Sequence, residues 1–212
     1  MIGILYATLP EARPFLERTG AQQTGDRLFS LFRLPNPAAA LVMVSGMGKV
    51  AAALAAQTLI REMSCDRLIN AGVCGILVDS PPLAPGQVMR VTEASEGPPG
   101  PGIRGGSVYC TDNRWPDLPT ARLVTVERPV FDAHLRRQLS QWGELVDMEG
   151  AVVAWVAGLY GATCAMIKGI TDMADDGQRN VLHRNLAAVS DAIAAHLVNG
   201  ISDDVTHGCG SP

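Results

Sequence analysis

The chain has 212 residues, of which 47% are apolar and 18% carry a formal charge, a composition that suits one α/β domain with a single core. Its net charge of −4 and pI near 5.5 argue against nucleic acid as a partner, because nucleic-acid-binding surfaces are basic. No apolar run approaches the roughly 20 residues that span a bilayer, so we expect no membrane contact.

Along the chain, apolar runs of strand length alternate with Ala-rich helical stretches, which is typical of an α/β fold with a largely parallel sheet and helices on both faces. The predicted strands lie near residues 2–6, 29–33, 40–45, 67–71, 86–92, 121–126 and 164–168. The predicted helices lie near residues 10–18, 49–63, 131–141, 149–160 and 184–198. The last helix is supported by apolar residues at helical spacing, namely Leu186, Val189, Ile193 and Leu197.

Two segments fall outside this alternation. Residues 96–106 are rich in Gly and Pro, so we expect a long surface loop that is either floppy or a cover over a site. Residues 200–212 are polar and Gly-rich, and we expect a disordered tail there. The single catalytic domain would then cover residues 1–199.

One carboxylate, Glu149, stands in a segment from Val146 to Ala154 that is otherwise built to be buried. Burying a charge costs several kcal/mol unless the charge is paired or hydrogen-bonded. Glu149 is therefore better explained by the hydroxyl groups of a ligand than by packing. A carboxylate that caps the first turn of the following helix would produce the same pattern, and this segment alone leaves both interpretations open.

Three further segments begin as apolar strands. Residues 165–172 end in the polar Thr171 and Asp172, residues 67–75 break into glycines, and residues 41–53 read as a strand, a Gly-rich turn and an Ala-rich helix. The carboxyl ends of strands in open α/β sheets face the ligand crevice. The Gly-rich turn in 41–53 is not a phosphate loop, because Met43 occupies the place of its first glycine and Val50 that of its Ser/Thr. Tight strand-to-helix geometry explains its glycines as well as a ligand does.

Taken in this order and spacing, the four segments resemble the nucleoside phosphorylase superfamily, and most of all its methylthioadenosine/S-adenosylhomocysteine nucleosidase branch. The resemblance runs from Met1 to about Leu197 and is weak between about 93 and 130. Its most specific motifs are Met148-Glu149-Gly150-Ala151, Ile170-Thr171-Asp172 with Ala174-Asp175, Ser45-Gly46-Met47-Gly48-Lys49-Val50, and Ile2-Gly3-Ile4 with Glu11. It implies a three-layer αβα fold with a mixed, largely parallel central sheet, and an enzyme without metal or redox cofactor.

The resemblance also implies roles for four residues. Asp172 matches the acid that protonates or hydrogen-bonds purine N7, and Glu11 the acid that orients and deprotonates the attacking water. Glu149 matches the glutamate that binds the ribose hydroxyls, and Met148 the methionine that packs against the sugar. From the residues alone, Asp172 would cap a turn, Glu11 would be an ordinary first-turn glutamate, and Met148 would belong to the core.

The choice between water and phosphate as nucleophile depends on anion chemistry, because a phosphate needs cationic or N–H partners. In the phosphorylase branch an arginine stands in place of Asn70 and a serine in place of Val73. The phosphate arginine near the amino terminus has no clear counterpart unless Arg13 serves. The resemblance therefore favours water.

Two positions depart from the nucleosidase pattern. Val73 replaces a hydroxyl residue that helps hold the acid and the water, and Lys168 stands where these enzymes usually have an arginine. A lysine supplies positive charge without the planar two-pronged geometry of a guanidinium. Thr171 keeps its hydroxyl beside Asp172. We assign Val73, Thr171 and Lys168 to substrate binding.

The sequence thus predicts a nucleosidase that hydrolyses the N-ribosidic bond of a 5′-modified purine nucleoside of the methylthioadenosine/S-adenosylhomocysteine type. The alternatives are a futalosine hydrolase-like enzyme of menaquinone synthesis, a nucleoside phosphorylase, and a catalytically inactive nucleoside-binding protein. The family also implies a homodimer, for which Val152, Trp155 and Val156 are interface candidates, although they would equally suit the core.

The compartment expected from the sequence is the cytoplasm. Five cysteines at 65, 74, 110, 164 and 209 share no zinc or disulfide spacing, so free thiols in a reducing cytosol are the simple explanation. Pro10 and Glu11 interrupt the amino-terminal apolar run, which argues against a signal peptide.

Overall fold

The computed structural model describes residues 1–25, 28–35, 40–79, 83–97 and 106–207, with only the backbone described at 109 and 202–207. The strands in these ranges are β1 (Ile2–Tyr6), β2 (Gln22–Gly25), β3 (Ser30–Arg33), β4 (Ala40–Val44), β5 (Arg67–Ile76), β6 (Val88–Glu96), β7 (Ser107–Tyr109), β8 (Thr120–Thr125), β9 (Leu145–Asp147) and β10 (Thr163–Asp172). The helices are α1 (Leu9–Thr19), α2 (Lys49–Arg61), α3 (Ala133–Leu139), α4 (Gly150–Leu159) and α5 (Arg179–His207).

The strands form one mixed sheet. Strand β1 lies between β4 and β5, parallel to both, and β5 pairs in parallel with β10 along its length. Strand β10 continues antiparallel to β6, β6 and β8 are parallel, as are β8 and β9, and β9 returns antiparallel to β5. Five strands therefore close into a ring, whereas β4 leads through antiparallel β3 to β2. The predicted α/β class with a mixed sheet is confirmed.

The sheet separates two hydrophobic layers, because successive side chains of a strand point to opposite faces. In β1, Leu5 joins the layer that contains α2 and α4, whereas Ile4 and Tyr6 join the layer that contains α1 and α5. Phe15 of α1 is fully buried in the second layer, which contributes about 1.5–3 kcal/mol to folding. The three-layer arrangement implied by the resemblance is therefore present.

Strands β5 and β10 extend beyond the predicted residues 67–71 and 164–168, to Ile76 and Asp172. The two strands pair as far as Asp172 and Gly75, with a register shift between Ile170 and Asp172, so the glycines that suggested an early end of β5 stay inside the ladder. The short strands β2, β7 and β9 were not predicted, because three or four residues give no readable alternation.

The expectation of a disordered tail from residue 200 is wrong as far as His207, because α5 continues to that residue and residues 200–207 are helical. The side chain of Ile201 is 4% exposed and belongs to the second hydrophobic layer, and the Gly200 carbonyl accepts a hydrogen bond from Arg114 at 2.8 Å. Packing therefore extends the helix past the polar composition that predicted disorder. Residues 208–212 lie outside the described ranges. None of the helices within these ranges is long and apolar enough to cross a membrane.

Two other expectations meet the structure in part. Val152 and Val156, named as interface candidates, are core residues with 8% and 5% exposure, whereas Trp155 is 55% exposed. The difference follows from α4, whose inner face packs on the sheet while Trp155 points outward. Most of the loop expected at 96–106 falls outside the described residues.

Candidate active site

A cavity of about 480 Å³ opens at the carboxyl ends of β1, β5 and β10 and beside the turn that follows β9. The strand ends contribute Glu11, Val73, Glu149 and Asp172 among others, while one wall is formed by residues 129–131 and by α5. This is the edge of the sheet where polar residues were expected from the sequence. Six of the seven predicted site residues line it: Glu11, Val73, Met148, Glu149, Thr171 and Asp172.

Glu11 is held by three hydrogen bonds in the first turn of α1. The backbone N–H and the hydroxyl of Thr8 donate to its Oε2 at 2.9 and 2.6 Å, and the backbone N–H of Val73 donates to its Oε1 at 3.0 Å. The bond from the Thr8 N–H to Glu11 is one half of the capping box that a Thr at the helix N-cap forms with a glutamate three residues later. Glu11 is thus both a helix-capping residue and a wall of the cavity, with 6% exposure.

The side chain of Val73 offers no hydrogen bond, but its main chain does. Because the Val73 N–H donates to Glu11, β5 orients the carboxylate without the side-chain hydroxyl that the resemblance implied at this position. The Glu11 carboxylate is therefore held in place even though residue 73 is a valine.

Glu149 immediately precedes α4 and turns away from it. Its side chain makes no bond to the helix amides and instead accepts the backbone N–H of Gly48 at 2.6 Å. Gly48 has φ +98°, a left-handed conformation that favours glycine. The Gly-rich turn before α2 therefore supports the carboxylate, and the simple helix-cap interpretation of Glu149 is wrong.

The electrostatic surroundings of Glu149 disfavour its charge. Burial and, next, the neighbouring Asp147 raise its pKa to about 7, against the opposing effects of Lys168 and of the Gly48 N–H. A carboxyl group with this pKa exchanges its proton near neutral pH.

Asp172 is the last residue of β10 and is 2% exposed. The Thr171 hydroxyl donates to its Oδ2 at 2.8 Å, and the Ala174 N–H donates to its Oδ1 at 2.8 Å. Burial raises the pKa of Asp172, and these two hydrogen bonds oppose that effect. Asn185 of α5 donates to the Thr171 carbonyl at 2.7 Å, which ties the helix to the strand that carries the acid.

The seventh predicted residue, Lys168, lies behind the cavity and does not line it. Its ammonium is 2.8 Å from Oδ2 of Asp147, and its side chain is 2% exposed. Burial alone would lower the pKa of Lys168, but Asp147 and Glu149 outweigh it and raise that pKa. β10 directs the Lys168 side chain into the interior, where it pairs with Asp147 and supports the acidic wall.

Asp147 is a cavity-lining acid that the sequence interpretation missed. Its Oδ1 accepts the hydroxyl of Thr125 at 2.6 Å, and its Oδ2 accepts the Gly150 N–H at 2.8 Å as well as the Lys168 ammonium. The signal available in the sequence was a second carboxylate two residues before Glu149. For Thr8 the sequence offered a clearer signal, namely the Thr-x-x-Glu capping pattern that it forms with Glu11.

The charge of the cavity is one-sided. Among its lining residues within the described part of the chain, four are carboxylates (Glu11, Asp147, Glu149 and Asp172) and none is a lysine or arginine. An anion that entered would meet no lysine or arginine among these described residues, whereas hydroxyl groups and protonated bases would find acceptors.

A family model described as "Phosphorylase superfamily" matches residues 1–202. The chain belongs to the phosphorylase superfamily. Among curated protein sequences no significant match to it exists.

Solved structures of this superfamily share the fold. A Helicobacter pylori 5′-methylthioadenosine/S-adenosylhomocysteine nucleosidase in complex with a substituted pyrrolidin-3-ol superposes with a TM-score of 0.86 at 20% identity, over 95% of this chain and 97% of that one. The native futalosine hydrolase of Helicobacter pylori gives 0.84 at 20% identity, over 96% and 97%. The Neisseria meningitidis 5′-methylthioadenosine/S-adenosylhomocysteine nucleosidase with methylthio-immucillin-A gives 0.80 at 20% identity, over 96% and 98%. At this identity the likeness concerns the fold.

Proposed function

We propose that this phosphorylase-superfamily protein hydrolyses the N-ribosidic bond of a 5′-modified purine nucleoside, of the methylthioadenosine/S-adenosylhomocysteine type. One observation carries the proposal: Glu11, Glu149 and Asp172, from three separate segments, line a single cavity. Cleaving such a bond needs a proton for the leaving base, a site for an oxocarbenium-like sugar, and an attacking oxygen on the opposite face.

Asp172 would supply the proton to purine N7, so that the base leaves neutral. Its burial raises its pKa, which favours the protonated donor. The hydrogen bonds from Thr171 and Ala174 hold both carboxyl oxygens in place, so the acid meets the base in one orientation.

Glu11 would take a proton from the attacking water. Its carboxylate is fixed by Thr8 and Val73, which leaves its remaining acceptor capacity for that water. The water oxygen bonds to C1′ as the C1′–N9 bond breaks. Glu11 gains one proton and Asp172 loses one, and exchange with solvent restores both.

Glu149 would bind the ribose hydroxyls, with Met148 packed against the sugar. The carboxylate is already oriented by Gly48, and Met148 is half-buried in the cavity wall. Negative charge beside C1′ also favours a cationic sugar in the transition state.

Water is the better nucleophile than phosphate for this cavity. None of the described lining residues is a lysine or arginine, and four carry carboxyl groups, so a phosphate dianion would find no such cationic partner there. Phosphate binding without cationic partners is unfavourable.

The 5′ group is proposed to be apolar. The part of the wall outside the acidic cluster is formed by hydrophobic residues, which include Val130, Phe131, Leu182 and Leu186. A methylthio group fits such a surface, whereas the charged amino-acid group of S-adenosylhomocysteine would lose hydration there, so methylthioadenosine is the preferred substrate of this type. The futalosine hydrolase fold makes futalosine the second candidate substrate.

We also propose a cytoplasmic homodimer. Large apolar side chains of α2, α4 and the turn before α2 are exposed: Met47, Val50, Leu54, Trp155 and Leu159. Helices α2 and α4 pack against each other, so these residues form one surface, called here the α2/α4 surface. Exposed apolar patches of this kind mark protein contacts. Met47 also lines the cavity, so a second copy seated on the surface would lie beside the cavity mouth.

The proposed activity is tested by following release of free base from methylthioadenosine, S-adenosylhomocysteine, futalosine, inosine and adenosine, with and without phosphate. Release from methylthioadenosine in phosphate-free buffer supports the proposal. A strict phosphate requirement would identify a phosphorylase, preference for futalosine the second substrate class, and tight binding without turnover a nucleoside-binding protein.

A further inference from the structure

Arg136 of α3 carries a buried charge that the proposed reaction does not use. It is 5% exposed although it belongs to a short helix next to the sheet. Its guanidinium donates to two backbone carbonyls, of Ile76 at 3.1 Å and of Val78 at 2.9 Å. Burial of an unpaired charge is costly, so its two carboxylate partners explain how it is tolerated.

Those partners lie on different segments. Asp79 follows β5, and its side chain is 81% exposed. Its Oδ1 lies 2.6 Å from Nη2 of Arg136. Asp175 follows β10, lies 3.5 Å from Nη1 and is 34% exposed. One side chain of α3 therefore joins the chain after β5 to the turn after β10.

The turn after β10 is strained where it meets the proposed acid. Ala174 has φ +51°, a left-handed conformation that non-glycine residues seldom adopt. In this conformation its N–H points at Oδ1 of Asp172, at 2.8 Å. Such backbone persists only when the surroundings hold it.

The opposite side of the turn is equally constrained. A Cβ at Gly75 of β5 would lie 2.9 Å from the Cβ of Ala174 and 3.1 Å from Oδ1 of Asp172. The turn is thus pressed against the end of β5, and its far end, at Asp175, is held by Arg136.

We propose that Arg136 is a positioning residue for Asp172, which acts by holding Asp175 and with it the strained 172–175 turn. Arg136 itself does not touch the cavity, so its effect reaches the reacting atoms through the orientation of the Asp172 carboxyl. The inference rests on the proposed function, in which Asp172 is the acid.

The structure offers a matched pair of variants. Asp175→Asn and Asp79→Asn each remove one carboxylate charge from the same guanidinium, but only the first loosens the turn that carries Asp172. If Arg136 were only a structural tether, both variants could lower stability, but neither should change kcat.

We expect Asp175→Asn to lower kcat for base release about tenfold with KM within twofold, since a misplaced acid affects chiefly the transition state. Asp79→Asn should leave both constants within twofold. Asp175→Glu keeps the charge and should recover most of the lost kcat. Thermal unfolding and circular dichroism of each variant check that it is folded.

Measurement in an Asp172→Asn background completes the test. There, Asp175→Asn should cause no further loss, because the residue through which it acts is gone. The proposal is overturned if Asp175→Asn keeps kcat within twofold of wild type, if Asp79→Asn lowers kcat as much, or if the loss persists in the Asp172→Asn background. If Asp172→Asn alone keeps near wild-type turnover, the proposed function fails instead.

Discussion

The ammonium of Lys168 and the carboxylate of Asp147 form a buried ion pair at 2.8 Å, with side chains that are 2% and 1% exposed. The pair lies under the acidic wall of the cavity, with Glu149 two residues from Asp147 along the chain. Its positive charge partly offsets the carboxylates that face the cavity. Lys168 therefore contributes to the site through its ion pair with Asp147.

Removing this lysine should destabilise the protein strongly. Lys168→Met leaves the charge of Asp147 without its cationic partner, so we expect the free energy of unfolding to fall by about 3–5 kcal/mol. Urea unfolding at pH 7 measures the change. Arg122→Met is the control, because Arg122 forms a partly exposed pair with Glu144, worth about 0–1 kcal/mol. Equal, small losses in both variants would contradict the buried-pair account.

Glu149 should make stability depend on pH. Its pKa is about 7 in the folded protein, chiefly because of burial, and about 4.3 in an unfolded chain. The folded state therefore holds the proton more tightly, so the contribution of this group is full below about pH 4.3 and is lost as the pH rises to about 7.

The measurement compares wild type with Glu149→Gln, which does not titrate. The free energy of unfolding of wild type minus that of the variant should decrease by roughly 3 kcal/mol from low to neutral pH, about 1.4 kcal/mol per pKa unit. Denaturant titrations at several pH values provide it. A difference that stays constant with pH would show that Glu149 titrates normally.

Loss of the proposed base should act on turnover. Glu11→Gln keeps the shape of the side chain but cannot accept the proton of the water, so we expect kcat to fall about 10²-fold. Glu17→Gln, on the exposed side of the same helix, should leave kcat within twofold. Steady-state base release measures both, and comparable activity of the two variants would remove Glu11 from the mechanism.

The α2/α4 surface should mediate self-association. We expect a mass of two chains by size-exclusion chromatography with light scattering at micromolar concentration, and a mass of one chain for Trp155→Asp, because a charge in an apolar interface is unfavourable. Trp142→Asp changes an exposed tryptophan of the loop after α3 and should remain a dimer. A monomeric wild type would refute the proposed dimer.

The sequence predicted the long helices and strands of the fold but not the short strands β2, β7 and β9. Strands β1, β4 and β10 and helices α1, α2 and α4 carry enough apolar residues for a periodic signal. The end of α5 depends on contacts with Trp115 and Arg114, far away in the chain. Tertiary packing of this kind overrides local composition.

The position of a residue in the candidate cavity was predictable where the residue belongs to a sequence motif, as Glu149 and Asp172 do. It was not predictable where the supporting partner is distant in sequence. The fold brings Gly48 to Glu149, whose carboxylate accepts the Gly48 amide. It also brings Lys168 to Asp147, with which it forms an ion pair. The identity of residue 73 as a valine did not predict that its backbone N–H donates a hydrogen bond to Glu11.

The most direct test of the central claim is the kcat of Asp172→Asn for base release from methylthioadenosine in phosphate-free buffer. An acid used chiefly in the transition state should cost kcat about 10²-fold or more when lost, with KM within a few fold. Glu149→Gln should differ by raising KM as well as lowering kcat, because the ribose contact exists before and during bond cleavage. Near wild-type turnover by Asp172→Asn would contradict the assignment of Asp172 as the acid and the site built around it.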